Sequence, residues 1–171
     1  MNLKLRSLFF FGVVAAQAVF ILAWAGHCQW VLDSAPVVRL RPGPVDPRDP
    51  LRGDYAALNL EIGRVTVPEG IAAFTDVWVE LVPDGAFHTT GAIRSAASGA
   101  PRPEGLWARA RVPWYDPKTR RAGLDLGIDK FFVEEGHGDL PRRGEVVVEA
   151  SLPPSGRLHL KRVLVNGRPW E

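Results

Sequence analysis

The longest uninterrupted apolar pattern lies at the start of the chain. Residues 7–32 contain no Asp, Glu, Lys or Arg, and about 20 apolar residues are enough to cross the hydrocarbon core of a membrane. The pattern therefore predicts a basic start and one transmembrane helix within residues 1–32. Because Lys4 and Arg6 precede the apolar run, we expect a cytoplasmic N-terminus and an extracytoplasmic domain formed by residues 33–171.

A cleaved signal peptide is the alternative interpretation of the same segment. Ala23, Trp24 and Ala25 fit the small-x-small pattern that precedes a cleavage site. The length of the uncharged run favours an uncleaved anchor that contacts the bilayer through residues 7–32. Cys28 is the single cysteine, so the chain forms no intramolecular disulfide and holds no cysteine-rich metal site.

Beyond residue 32 the pattern changes to short stretches in which apolar and polar residues alternate. This period of two is typical of half-buried strands, and Pro- and Gly-rich turns separate the stretches. We expect eight or nine strands and no amphipathic helix after the anchor, which predicts an all-β domain built as an antiparallel sandwich or a partly open barrel. Large aromatic side chains are the candidates for its core: Trp78, Trp107, Phe131 and Phe132. The predicted strands are residues 33–41, 55–62, 76–82, 87–94, 106–112, 122–128, 130–133, 145–152 and 157–165.

Three connecting segments carry distinct predictions. Residues 65–73 and 113–121 are interpreted as a connector and a polar turn, because each interrupts the alternation with Pro and charged side chains. A turn is predicted at Pro83, Asp84 and Gly85, and a tight hairpin turn at Asn166 and Gly167.

The charge balance argues against nucleic-acid binding. The chain has 21 Lys and Arg residues against 19 Asp and Glu residues. Removing Lys4 and Arg6, which precede the apolar run, leaves 19 basic and 19 acidic residues. A domain without net charge produces no positive field that would attract a polyanion.

No constellation of residues predicts catalysis or a cofactor. The histidines are His27, His88, His137 and His159, and no pair has the H-x-x-x-H spacing of a metal site. Neither a G-x-S-x-G nor an S-x-x-K sequence occurs. We therefore expect a protein that is not an enzyme and binds no cofactor or metal.

The densest cluster of turn-forming and charged residues is the segment 44–54. Pro44, Pro47 and Pro50 each fix the backbone angle φ and remove an amide donor, so we expect a stiff, extended segment here. Gly53 suits a tight turn into the strand that follows. Two interpretations remain open: the charges pair with one another across the loop, or the loop offers them to a partner. The charged residues are Asp46, Arg48, Asp49, Arg52 and Asp54.

Two segments resemble a known family. Gly53-Asp-Tyr-Ala-Ala-Leu-Asn-Leu60, with Asp46-Pro-Arg-Asp49 before it, resembles the motif of the GDYXXLXY family, although Leu60 stands where the motif ends in Tyr. A second segment, residues 127–138, resembles the later family segment with an aromatic pair, Val, Glu and Gly. The resemblance implies an uncharacterised bacterial protein anchored in the inner membrane, with a periplasmic domain and multi-pass membrane proteins as partners.

The sequence therefore predicts a non-catalytic interaction module in a membrane complex. We expect the two family segments to lie close together as one face of the domain. A small hydrolase or carbohydrate-active domain that uses Asp46, Asp49, Asp54 or Glu134 is one alternative, and a ligand-binding sensor of the envelope is another. The candidate interaction residues are Asp46, Arg48, Asp49, Arg52, Gly53, Asp54, Tyr55, Leu58, Phe131, Phe132, Glu134, Glu135 and Gly136.

The mass of the intact protein tests the anchor. Because the uncharged run is long enough to span a membrane, we expect protein extracted from membranes to retain residues 1–32. Intact-mass spectrometry of the full-length chain measures this directly. A mature species that begins at Gly26 would contradict an uncleaved anchor.

Overall fold

The computed structural model describes residues 3–43, 55–57, 60–96, 100–128, 130–132 and 145–170. Side chains are described in these ranges except in residues 3–8, 55–57 and 130–132. The chain divides into two compact units, residues 1–34 and residues 35–171.

The first unit is a single helix, α1 (Leu3–Ser34). Its stretch Phe9–Ser34 is the one helix of the described residues that is long and apolar enough to cross a membrane. Large apolar side chains along this stretch, such as Phe10 and Leu22, are exposed rather than packed against protein. Because α1 is apolar and uncovered over this length, it can serve as a membrane anchor.

The second unit consists of short strands in antiparallel sheets, which confirms the predicted all-β class. No closed barrel forms among the residues that the structure describes. The strands are β1 (Val37–Leu40), β2 (Tyr55–Ala57), β3 (Arg64–Thr66), β4 (Asp76–Asp84), β5 (Phe87–Ser95), β6 (Trp107–Arg111), β7 (Tyr115–Asp116), β8 (Arg121–Gly123), β9 (Lys130–Phe132), β10 (Val146–Ser151), β11 (His159–Val165) and β12 (Arg168–Pro169).

The strands form four sheets, with the orders β1-β10-β11-β12, β2-β9, β3-β8-β7 and β5-β4-β6. Two isolated bridges link three of these sheets. Pro42 pairs with Leu60, which joins the end of β1 to the segment before β3. Arg111 pairs with Asp125, which joins the end of β6 to the segment after β8. A nearly continuous path of backbone pairings therefore runs from β12 to β5.

The main core lies on the faces where the alternation of β4 and β6 predicted it. Val77, Val79 and Leu81 of β4 are buried, as are Ala108 and Ala110 of β6. Strands β1 and β10 contribute further buried residues to the same cluster. Burial of each Val or Leu side chain stabilises the fold by about 1.5–3 kcal/mol, which makes this cluster the principal source of stability.

A second, smaller cluster covers the opposite face of β4 and β6. It contains Trp78, Ala96 and Trp107, which confirms that both tryptophans are core residues. The Trp107 indole nitrogen donates to the Glu104 carbonyl oxygen at 2.8 Å. The turn before β11 closes over Trp78, because the Arg109 amide donates to the Gly156 carbonyl at 2.7 Å. Strands β4 and β6 are therefore covered on both faces around Trp78 and Trp107, whereas most of β5 is exposed or half-buried. The side chains of Phe131 and Phe132 lie outside the described residues.

The prediction of eight or nine strands was wrong, because the described part of the domain already has twelve. Strand β3 lies in the predicted connector, and β7 lies in the predicted polar turn. Both segments pair with β8. Strands of two or three residues are too short to show an alternating pattern, so neither could be identified from periodicity.

The predicted strand from Tyr55 to Ile62 was also too long. Strand β2 ends at Ala57, and Glu61–Gly63 forms a 3₁₀ turn in which the Gly63 amide donates to the Leu60 carbonyl at 2.8 Å. The predicted faces hold at the end of the segment, where Leu60 and Ile62 are buried and Glu61 is exposed.

The two predicted turns had different outcomes. Strand β4 continues through Pro83 and Asp84, and the turn follows at Gly85, whose φ is 60°. The hairpin turn at Asn166 and Gly167 is confirmed, with φ values of 51° and 77°. Positive φ at both central residues is what a two-residue type I′ turn requires, and Asn-Gly favours it.

Gly156 should tolerate no side chain, because a Cβ atom would lie 2.3 Å from Trp78 and its φ is 77°. We expect Gly156→Ala to destabilise the domain by roughly 2–4 kcal/mol, combining backbone strain with overpacking. Gly85 is a matched control, because its φ is also positive but a Cβ atom there would meet no other atom within 4 Å. Gly85→Ala should cost about 1–2 kcal/mol. Denaturant unfolding monitored by tryptophan fluorescence measures both, and equal costs would exclude a role for the Trp78 contact.

Candidate functional site

The two segments that resemble the GDYXXLXY family lie side by side. Strands β2 and β9 pair antiparallel, with Tyr55 opposite Phe132, Ala56 opposite Phe131 and Ala57 opposite Lys130. This confirms, for these residues, that the two segments are neighbours. In the described part of the chain each strand has only the other as a partner. The candidate residues outside the described ranges are Asp46, Arg48, Asp49, Arg52, Gly53, Asp54, Leu58, Glu134, Glu135 and Gly136.

The segment that contains the first motif begins and ends at one point of the fold. Pro42 forms a bridge with Leu60, and the Glu61 amide donates to the Arg41 carbonyl at 3.1 Å. Residues 43–59 therefore leave and rejoin the sheet at adjacent positions. Leu60, at the final motif position, is buried in the main core. A buried apolar residue at this position fixes the end of the segment by packing.

A solvent-open cleft lies beside this bridge. Its volume is about 280 Å³, slightly below the usual range of small-molecule pockets, about 300–1,000 Å³. Sequence reasoning missed the cleft, because three separate stretches of the chain, at residues 41, 61–65 and 84–90, supply its walls. The lining residues are Arg41, Glu61, Ile62, Arg64, Val65, Asp84, Phe87, His88, Thr89 and Thr90.

The cleft presents both signs of charge. The Arg41 guanidinium lies 4.5 Å from the centre of the Phe87 ring and 3.8 Å from the Asp84 carboxylate. Within the described ranges the structure assigns no ion-pair partner to Glu61 or Arg64, so both are open to an external charge. A polar, open cleft of this kind suits charged side chains of a protein partner better than an enclosed apolar ligand.

Two further polar groups line the cleft, the His88 imidazole and the Thr90 hydroxyl, and the structure defines the hydrogen bonding of each. His88 Nδ1 accepts a hydrogen bond from the Arg39 amide at 3.2 Å. In the neutral imidazole the proton therefore lies on Nε2, which is a donor. The Thr90 hydroxyl oxygen is buried, and no hydrogen-bond partner for it occurs among the residues that the structure describes. A buried hydroxyl without a partner has lost its contact with water, so an acceptor or donor placed there would be stabilised.

A separate ionic row crosses the sheet β1-β10-β11. Arg39, Glu149 and Arg162 occupy paired positions on the three adjacent strands. Arg39 Nε donates to Glu149 Oε1 at 3.0 Å, and Arg162 Nε donates to Glu149 Oε2 at 2.5 Å. The Glu149 side chain is only 2% exposed, whereas each arginine side chain is 53% exposed. We call this row the arginine clamp.

Glu149 is ionised within the arginine clamp. Burial alone would raise the pKa of its carboxyl group, but the hydrogen bonds from Arg162 and Arg39 outweigh burial, so the pKa is lowered. Sequence reasoning missed Glu149 as a buried residue, because a Glu in a strand such as 145–152 is typical of a solvent-facing position. Glu149 has an Arg opposite it on each neighbouring strand, and this arrangement becomes visible only when the strand register is known.

Among the described residues no group of three or more His, Cys, Asp or Glu side chains could hold a metal ion. His88 takes part in the hydrogen bond to β1, and His159 lies in β11. His137, like the carboxylate pairs Asp46–Asp49 and Glu134–Glu135, lies outside the described ranges. The absence of a metal and of a cofactor stays a prediction from the sequence.

Fold and site together define an all-β domain behind one apolar N-terminal helix, with two characteristic segments paired as strands. The chain belongs to the GDYXXLXY family, because the model of that family, described as GDYXXLXY protein, matches residues 17–163. No curated protein and no solved structure matches the chain.

The arginine clamp makes stability depend on pH. Because the pKa of Glu149 is lower in the folded state than its unfolded value of about 4.3, its stabilisation is complete above that value and is lost as pH falls through the folded pKa. We expect Glu149→Gln to reduce the free energy of unfolding at pH 7 by roughly 1–2 kcal/mol. The difference from the unmodified protein should shrink below about pH 4.

Glu69→Gln is the matched control, because Glu69 is exposed and lies 3.8 Å from Arg120 in a surface ion pair. This substitution should change stability little. Denaturant unfolding at a series of pH values measures both variants. A Glu149→Gln effect that grows as pH falls would contradict the ionised state.

Proposed function

We propose that this chain is an anchored envelope protein of the bacterial inner membrane. Its N-terminus is cytoplasmic and its β domain is periplasmic. The apolar stretch Phe9–Ser34 and the basic residues Lys4 and Arg6 before it support this orientation. The β domain acts without catalysis, as an interaction module that binds a multi-pass membrane protein.

The pairing of the two family segments carries this proposal. Strands β2 and β9 bring the segments together in a two-stranded ribbon. Within the described residues each strand of the ribbon has one edge without a neighbouring strand. Such an edge offers unpaired amide and carbonyl groups, which an extended segment of a partner can bind by strand addition.

The open cleft extends this surface. Ala57, the end of β2, and Glu61, the first residue after it that lines the cleft, are four residues apart, a span of at most about 14 Å. We name the ribbon and the cleft together the motif face. Its Glu61 and Arg64 side chains are suited to opposite charges on the partner, which gives specificity and register.

Two carboxylates of the described residues, Asp116 and Glu149, have a lowered pKa, which argues against a general-acid role for either of them. Hydrogen bonds from the Thr119 hydroxyl and the Lys118 amide lower the pKa of Asp116. Burial opposes the shift at Glu149, but the two arginines lower its pKa. A carboxylic acid that acts as a general acid at neutral pH needs a raised pKa. These two groups are instead held as anions by their structural partners.

Copurification with a candidate multi-pass membrane protein, the kind of partner that the family resemblance implies, tests the proposal. Tagged full-length chain and the candidate partner are produced together and extracted in detergent. We expect the partner to copurify, and Arg64→Glu to reduce its recovery about tenfold, the effect of about 1.4 kcal/mol of lost affinity. Arg64 is suited to this test because it is exposed and lines the cleft.

Arg168→Glu is the control, since Arg168 is exposed on β12 and does not line the cleft. This variant should recover as much partner as the unmodified chain. Thermal unfolding of each variant verifies that it is folded. Loss of the partner in both variants, or in neither, would contradict a partner site at the motif face.

A further inference from the structure

The arginine clamp holds two positive charges with spare donors at the surface. Each arginine binds Glu149 through Nε alone. Among the described residues the structure assigns no acceptor to the terminal Nη atoms of Arg39 or Arg162. Since both side chains are 53% exposed above a carboxylate that is 2% exposed, the Nη groups are available to a ligand from solvent.

The clamp is organised before any ligand arrives. Its three residues are in register on adjacent hydrogen-bonded strands, and neighbouring strands are about 4.8 Å apart. Both oxygens of Glu149 are occupied, one by each arginine, so the two guanidinium groups are fixed relative to one another. Little side-chain entropy remains to be lost on binding, which favours affinity.

The charge and geometry of the clamp suit a phosphate group. Two arginines and one glutamate leave a net charge of one positive unit, which complements the single negative charge of a phosphodiester. Guanidinium groups bind phosphate oxygens through parallel N–H donors, which an ammonium group cannot reproduce. A carboxylate ligand has only two oxygens, whereas a phosphate can contact both arginines and remain partly solvated.

The position of Arg39 in the chain favours a lipid as the source of the phosphate. Arg39 lies five residues after Ser34, the last residue of the apolar helix. Five residues reach at most about 18 Å, so Arg39 cannot move far from the end of the anchor. Val37, two positions before Arg39 in β1, is 41% exposed, and alternation places it on the same face of the strand. An apolar side chain beside the clamp suits the boundary between headgroups and acyl chains.

We propose that Arg39 and Arg162, positioned by Glu149, bind the phosphate group of an anionic phospholipid headgroup. The inference rests on the proposed function in one respect, since the apolar helix must remain attached for the tether to act. Binding would hold one face of the β domain at the membrane surface. The motif face uses none of these three side chains, so a partner and a lipid can bind at the same time.

Native mass spectrometry of the full-length chain tests the inference. The protein is released from mixed micelles that contain phosphatidylglycerol and phosphatidylcholine in equal amounts, and the retained lipid is identified. We expect preferential retention of phosphatidylglycerol. In the double variant Arg39→Lys/Arg162→Lys each lysine can pair with Glu149 and keeps its charge, but the outward Nη donors are lost. Retention should therefore fall at least about tenfold, as expected for the loss of several charge-assisted hydrogen bonds.

The double variant Arg121→Lys/Arg168→Lys is the matched control, because both arginines are exposed on other strands. It should retain phosphatidylglycerol as the unmodified chain does. Equal retention by the clamp variant would overturn the inference, because simple positive charge would then explain the binding. If the double clamp variant does not fold, the single variants Arg39→Lys and Arg162→Lys are compared in the same way.

A second arm separates a lipid from free phosphate. Inorganic phosphate is added to protein in phosphatidylcholine micelles, and its retention is compared with that of phosphatidylglycerol at equal concentration. Stronger retention of the lipid supports the inference, whereas retention of inorganic phosphate to the same extent would overturn the assignment to a lipid.

The same spectra give the mass of the chain. A chain that begins at Gly26 would refute the proposed anchor, whereas a complete chain without lipid preference would refute the clamp alone.

Discussion

The bridge between Pro42 and Leu60 is the constraint on which the arrangement of the domain depends. On one side it continues β1, the first strand after the apolar helix. On the other side it starts the 3₁₀ turn and β3, and so leads into the sheet β3-β8-β7. The chain therefore re-enters the sheet at Leu60 beside the point where it leaves at Pro42. Leu60 secures this closure through burial, and Glu61 adds a backbone hydrogen bond to Arg41.

The sequence predicts some strands well and others not at all. In β4 and β6 the alternation identifies the apolar face that packs in the main core, and the tryptophans on the other face are buried in the second cluster. Strands β3, β7 and β12 are short enough that pairing with a neighbour defines them, and pairing is a property of the tertiary fold. The helix was predictable because a long uncharged run indicates it, and this pattern can be recognised without knowledge of any tertiary contact.

The candidate site likewise has one part that the sequence predicts and another that it does not. The motif segments could be identified from the chain, and their adjacency, which the pairing of β2 with β9 confirms, could be expected from the resemblance. The cleft could not be predicted, since Arg41, Arg64 and His88 meet only when β1, β3 and β5 are assembled. The same holds for the arginine clamp, in which a glutamate within an apolar strand becomes buried because two arginines on neighbouring strands cover and neutralise it. Register, rather than local composition, determines both features.

The pairing of β1 with β10 has a consequence for how the protein is made. Val37 is opposite Ser151, so β1 can form this pairing only after β10 has been synthesised, more than a hundred residues later. Contacts of such long sequence separation form slowly, because a large loop must close before any of them stabilises the chain. Until β10 has been synthesised, Val38 and Leu40 therefore lack the strand that pairs with theirs. Synthesis of β10 and β11 completes this sheet, and a chain that ends before β10 would keep the edge of β1 open, with two apolar side chains uncovered.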